Sequence, residues 1–251
     1  MSYVKAVSAM LLAALAIAPW PGEAVGVVDA AKILEESDRA RGGGLPGVEW
    51  HLKLTSTDPE NEDLRELTVR AVGESSLATT VFPPRLKRAM LLQVARNMWY
   101  GRPDLRKPIS ISPRQRMTGQ ASNGDIASTN YFREYDAALL REENVGQEDA
   151  YVLDLTAKNK WVTYDRIRYW VSKQRLVAVK AEFYTVSGKL LKTATFEHDN
   201  ILVHGGHRIP FVSRMEIRDA VNASRFSVLE YSDVKVRNLT PADFHISVLS
   251  K

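Results

Sequence analysis

Apolar residues recur along this chain with two different periods. Between Val27 and Gly44 they fall three and four apart, so Ala30, Ile33 and Leu34 share one face while Glu35, Glu36, Asp38 and Arg39 lie largely elsewhere. That spacing predicts a helix, ended by Gly42-Gly43-Gly44 and Pro46. From Val48 the period drops to two. Val48, Trp50, Leu52 and Leu54 point one way, and Glu49, His51 and Lys53 the other, as in a half-buried strand. "RELTVRAV" repeats the pattern with Leu67, Val69 and Ala71. "SLATTVF", "AMLLQVA" and "NMWY" predict three more short strands. The period changes again at Asn123, where "NGDIASTNYFREYDAALL" predicts one or two short helices between Asp125 and Leu140. Strands resume at "AYVLDLTA" and continue through "WVTYDRIRYWVS", "RLVAVKAEFYT", "KLLKTATFEHD", "ILVHGGHRIPFVSRMEIRD" and "SRFSVLEYSDVKV".

Short turns at Ser187-Gly188, Gly205-Gly206, Asp219 and Asn222 make neighbouring strands antiparallel. The expected fold is therefore α+β, mainly β: a curved antiparallel half-barrel of about eleven strands wrapped over two or three short helices. So few helices leave a choice. The concave face either closes on its own side chains or keeps a cavity.

The first residues change where this fold is expected to work. "MSYVKAVSAMLLAALAIAPWPGEAVG" has one cation, Lys5, and then an apolar run from Ala6 to Ala18. Such a run makes about 20 Å of helix, short of the roughly 30 Å a bilayer needs, so residues 1–24 read as a secretory signal peptide. Ala16-Ile17-Ala18 has the small-x-small pattern but is followed by Pro19, which leaves cleavage after Ala24 as the expectation. Residues 25–251 then form one domain in the periplasm. The chain has no cysteine, so it gains no disulfide in an oxidising space and has no thiol to carry a lipid anchor. Its apolar share of 45% and charged share of 25% are ordinary for a globular protein, and a net charge of +4 is a weak pull on nucleic acid.

No catalytic grouping stands out, and the expectation is a non-enzyme without cofactor or metal. "GQASNG" places Ser122 at the wrong spacing for a nucleophile elbow. His204 and His207 flank two glycines of a turn and have no acidic cluster in sequence beside them. Asp125, Glu134 and Asp136 fit helix capping and solvent exposure. What remains is the stretch from Arg85 to Arg116, with nine Lys or Arg and one acid. Its cations either cover apolar surface with their stems or dock an acidic partner or an anionic headgroup, with Arg102, Arg106, Lys107, Arg114 and Arg116 as candidates.

Several blocks together resemble the outer-membrane lipoprotein-sorting proteins of the LolA/LolB-like superfamily. They are "SDRARGG" at the end of the first helix, "FPPRLKRAMLLQVARNMWYGRP", "RKPISISPRQRMTGQASNGDIASTNYFREYDAAL", and "YDRIRYWVSKQRLVAVKAEFYTVSGKLLKT". The resemblance implies a half-open barrel whose apolar cavity holds acyl chains of a lipid or lipoprotein in transit, and no catalytic residues. In one branch it also implies a neighbouring exporter of the RND type. The family's second aromatic after the tryptophan is replaced here by Gly101, followed by Arg102. On this reading Trp50, Leu52, Leu54, Leu67 and Val69 form one cavity wall, and Met90, Leu92, Met98, Trp99 and Tyr100 another. Ile126, Tyr131, Phe132 and Tyr135 form a lid. The alternative is an accessory subunit that carries nothing and docks on such an exporter through its basic face.

Overall fold

The computed structural model describes residues 29–59, 61–128 and 130–250; the signal-peptide reading, with its cleavage after Ala24, lies outside them. Helix α1 (Ala30–Asp38) is opened by Asp29, whose carboxylate accepts the N–H groups of Ala31 and Lys32. A 3₁₀ turn, Arg39–Arg41, ends at Gly42 with a positive φ of 102°, as the glycines predict.

The rest is mainly sheet. In chain order come β1 (Val48–Asp58), β2 (Asn61–Val72), β3 (Ser75–Phe82), β4 (Met90–Val94), β5 (Asn97–Gly101) and β6 (Ile109–Ile111). A small hairpin, β7 (Arg116–Thr118) and β8 (Ala121–Ser122), leads into α2 (Asn123–Ala127) and α3 (Tyr131–Glu134). Then follow β9 (Tyr135–Val145), β10 (Glu148–Ala157), β11 (Arg166–Ser172), β12 (Ala178–Tyr184) and β13 (Leu190–Glu197). A second hairpin, β14 (Asn200–His204) and β15 (His207–Phe211), precedes β16 (Arg214–Asp219) and β17 (Phe226–Val236). Thirteen strands form one open antiparallel sheet in the order β6-β5-β4-β3-β2-β1-β17-β16-β13-β12-β11-β10-β9. The first and last long strands, β1 and β17, pair at its centre.

The fold class is as expected, with two differences. The segment Tyr135–Leu140 is strand, the start of β9, where helix was expected. Its Ala, Leu, Arg and Glu residues suit a helix, but β10 pairs along its whole length and that ladder overrides local preference. As an edge strand it exposes Arg141 and Glu142, charges that discourage further pairing. The second difference is the two hairpins, which fold away from the main sheet. Gly119, with φ +50°, lets the β7–β8 turn lie on β1 and β17; a Cβ there would collide with Ser56.

Sheet alternation sorts the apolar residues into a main core and two smaller ones, one of them Ala150, Val152 and Trp170. The main core lies on the concave side, between the sheet, α1, α2 and α3. A smaller core lies on the other face, where the C-terminal 3₁₀ turns bring Phe244 and Leu249 onto Leu77 and Leu92.

Candidate functional site

The concave face and the elements closing it are the candidate site. Trp50, Leu52, Leu54, Leu67, Val69 and Met98 all face this interior and are buried. Met90, Leu92 and Trp99 do not. They belong to the core on the opposite face, beneath Leu239, Phe244, Val248 and Leu249. Because faces alternate, Leu91 replaces Leu92 on the concave wall, and its partner Tyr100 stands at the edge of the interior. The second wall assigned from the sequence is thus divided between two faces of one sheet.

The lid residues come together. Ile126, Tyr131 and Tyr135 are buried and Phe132 is half-buried against the same core. Aromatic rings run through the interior beneath them. Tyr131 meets Tyr135 at 5.3 Å and Tyr169 at 5.6 Å between centroids, and Trp50 meets Phe211 at 5.8 Å. Around these rings the interior is closely packed, while a groove of about 520 Å³ opens at its edge beside Tyr100, Ile111 and Met117. Between Trp50, Ile126, Phe211, Val212 and Tyr231 the void is only about 10 Å³, room for at most one water. The hairpins are the reason. Phe211 and Val212 arrive with β14–β15, and β7–β8 covers one end of the sheet, so more than three helices fill the hollow.

Two polar clusters are buried with the aromatics. At the α2 end, Asp125 accepts hydrogen bonds from the Ser122 N–H at 2.8 Å and from the Tyr164 hydroxyl at 2.8 and 2.9 Å. Lys192 donates to the Gln120 carbonyl and the Ser122 hydroxyl. The Tyr135 hydroxyl donates to the Tyr164 carbonyl. A Cβ on Gly124 would collide with Thr163 Oγ1, so α2 is pressed against the β10–β11 connection.

The second cluster joins the end of α1 to α3 and to Ser128, the C-terminal cap of α2. Arg41 donates Nη2 to the Ser128 carbonyl at 2.9 Å, and its guanidinium lies 4.3 Å from the Tyr131 ring centre. Asp38 Oδ2 accepts the Phe132 N–H at 2.8 Å. Yet Asp38 Oδ1, Arg41 Nη1, Glu134 Oε2, the Tyr169 hydroxyl, Trp50 Nε1 and both His198 nitrogens are buried without a hydrogen-bond partner. Burial pushes the Asp38 carboxyl up to about 7, against the lowering influence of the Phe132 N–H and Arg41. Burial likewise raises Glu134 to about 7, although Arg41 and Ser128 favour its charged form. Burial lowers His198 to about 4 and keeps it neutral. The Asp38 and Arg41 signals were present in "SDRAR", but charged letters at a helix end normally signify solvent exposure; burial came only with tertiary packing.

The basic candidates lie apart from this interior. Arg102 forms a two-point pair with Asp104 at 2.8 and 2.9 Å, and Arg114 pairs with Asp165 at 2.6 Å. Arg106 and Lys107 are exposed. Arg116 lines an open groove of about 520 Å³ with Arg65, Arg85 and Tyr100. His204 and His207 face each other across β14–β15, and no group of three or more His, Asp or Glu among the described residues converges as metal ligands do.

A protein family described as "Uncharacterized protein" matches residues 73–251. A LolA superfamily protein of Nitrosomonas europaea is 36% identical, with 87% of this chain and 98% of that one aligned at a TM-score of 0.78. A domain of Vibrio parahaemolyticus named for outer membrane lipoprotein sorting is 21% identical, covering 88% and 98% of the two chains at a TM-score of 0.74; at that identity the likeness concerns the fold. No curated protein matches the chain.

Proposed function

The chain belongs to the LolA superfamily, and on that premise we propose that it is a periplasmic carrier, not an enzyme, whose closed interior opens to take the acyl chains of a lipid or lipoprotein. A carrier of this kind performs transfer without bond chemistry. Moving one methylene out of water is worth about 0.8 kcal/mol, so a sixteen-carbon chain gains on the order of 10 kcal/mol before ordering costs. The cargo would cross the aqueous space sheltered between the sheet and the lid, and be passed to a second membrane or to an exporter of the RND type.

One observation carries this reading: the lid is held shut by a poorly satisfied polar cluster. Each buried polar atom without a partner costs about 1–3 kcal/mol, and several surround Arg41. Moving α3 away from α1 would hydrate Asp38, Arg41 and Glu134 and uncover the aromatic face of Trp50, Tyr131 and Tyr169. Parting α3 from α1 would therefore cost less than breaking a fully satisfied network, which suits a load-and-release cycle. A core selected for stability alone would have apolar residues in these places.

The filled interior favours a second reading, in which the protein carries nothing and docks on an exporter through its basic face. Gentle purification followed by mass spectrometry of an organic extract separates the two. Stoichiometric lipid, or saturable uptake of a fluorescent fatty acid, is the carrier's result. A clean extract with no uptake, in both the native chain and Arg41→Met, eliminates the carrier and leaves the docking subunit.

A further inference from the structure

The turns of the main sheet lie on two opposite rims, and the rims differ. Register places the β1–β2, β3–β4, β5–β6, β10–β11, β12–β13 and β16–β17 connections on one rim. The turns β2–β3, β4–β5, β9–β10 and β11–β12 lie on the other. The first rim holds the two most exposed large apolar residues among those described, Val221 at 86% and Val186 at 85%, with Phe82 and Ile109 at two further turns. The four tight turns of the other rim have no exposed large hydrophobic residue among the described residues, and Ile201 and Val203 are exposed there only on the β14–β15 hairpin that rises between β13 and β16.

Neither valine hangs from a slack loop. Asp219 Oδ1 accepts the N–H groups of Val221 and Asn222 at 2.9 Å, and Arg218 donates to the Ala223 carbonyl. Around Val186, the Thr185 hydroxyl pairs with Ser187 and accepts the Lys189 N–H, while Gly188 takes the positive φ of 78° that the turn requires. Each turn is closed by its own polar side chains and holds a valine out into solvent. Because β13 pairs with β16, the two tips stand two strand spacings apart, roughly 10 Å.

The same rim has cations without acidic partners. Lys87, Arg106, Lys107, Arg116 and Lys189 have no carboxylate within 4.0 Å among the described residues. Isolated apolar pegs on convex tips suit a fluid interface better than a protein, whose stable contacts need a contiguous patch of about 800 Å² per partner. Basic residues beside such pegs suit lipid phosphates.

We propose that this rim docks on the surface of an anionic bilayer, with Val186 and Val221 seated in the interface and Lys87, Arg106, Lys107, Arg116 and Lys189 against lipid phosphates. Docking does not depend on whether the interior takes cargo, so its test is separate from that of the carrier. The purified full chain is floated with phosphatidylcholine vesicles, with and without phosphatidylglycerol. Binding is expected only with the anionic lipid and falls as salt rises. Val186→Ser and Val221→Ser each weaken it about ten-fold, and Arg106→Ser, Lys107→Ser and Lys189→Ser each about five-fold at low salt. Arg96→Ser, on the opposite rim, leaves it unchanged. These side chains are exposed, and circular dichroism checks that each variant folds. Absence of binding to either vesicle overturns the proposal. So does binding that the cation variants weaken and the valine variants do not, which is what a purely electrostatic surface for an acidic protein would give.

Discussion

Two polar clusters are buried under the same lid, and they are built differently. At the α2 end, Asp125, Tyr164 and Lys192 all have hydrogen-bond partners, and one neighbouring atom, Thr163 Oγ1, lacks one. At the α3 end, Asp38, Arg41 and Glu134 each keep an atom without one. A satisfied buried network rigidifies its surroundings, whereas a half-satisfied one costs more than an apolar core. On the carrier reading proposed above, α2 would be the fixed end of the lid and α3 the end that releases. Gly124, against Thr163, adds a steric reason for α2 to stay in place.

Substituting the two aspartates sharpens the contrast most. Asp125→Ala strands the Tyr164 hydroxyl and the Ser122 N–H and removes a counter-charge near Lys192; a loss of about 3 kcal/mol is expected in urea unfolding, read from the midpoint at unchanged slope. Asp38→Asn keeps an acceptor for the Phe132 N–H and removes a carboxylate that burial opposes. It is expected to stabilise the protein by about 1–2 kcal/mol at pH 8. Equal losses from both substitutions would break the comparison.

The pH dependence follows from the same cluster. Asp38 and Glu134 have folded values of about 7, above their ordinary values of 3.8 and 4.5. Between about pH 4 and 7 the folded state therefore holds protons that the unfolded chain has lost, and stability falls as pH rises through this window. The contribution levels off above about 7. Each ten-fold difference in proton affinity between the folded and unfolded chain is worth about 1.4 kcal/mol, so the two groups together contribute on the order of 8 kcal/mol at most, and less because each disfavours ionisation of the other. Asp38→Asn combined with Glu134→Gln flattens this part of the pH profile in thermal unfolding. If the slope persists in the double variant, other groups produce it.

Smaller effects map the hinge itself. Hydrogen exchange is expected to be faster at Phe132 and Arg133 than at Ile126 and Ala127. Arg41→Met removes both the bond to Ser128, which caps the end of α2, and the contact with the Tyr131 ring in α3; it should speed the α3 amides about ten-fold and those of Ile126 and Ala127 less. Uniform acceleration across both helices would mean that the lid moves as one piece. The smallest effect is expected at the exposed Arg102–Asp104 pair, where Arg102→Ser costs under about 1 kcal/mol.

Much of this was legible in the residues. Period-two alternation in "VEWHLKLT" and "RELTVRAV" predicted β1 and β2 with their buried faces, and a change of period marked the segment that holds α2 and α3. The quoted blocks pointed to the superfamily. Other features were hidden for physical reasons. A continuous run such as "AMLLQV" has no alternation, so nothing local chooses between Leu91 and Leu92 for the concave wall. The residues of β9 prefer a helix until β10 lies beside them. Arg41 looks like a surface cation until Tyr131 and Ser128 close over it.

The sequence by itself determined an antiparallel, mainly β chain, because side-chain period and turn chemistry act over a few residues. The tertiary structure decided how the aromatic interior packs, which of its buried polar atoms lack partners, and which turns share a rim. Those outcomes depend on pairings such as β1 with β17 and Arg41 with Ser128, which join residues far apart in the chain. No local pattern of apolar and polar positions encodes such contacts; they exist only once the sheet has folded.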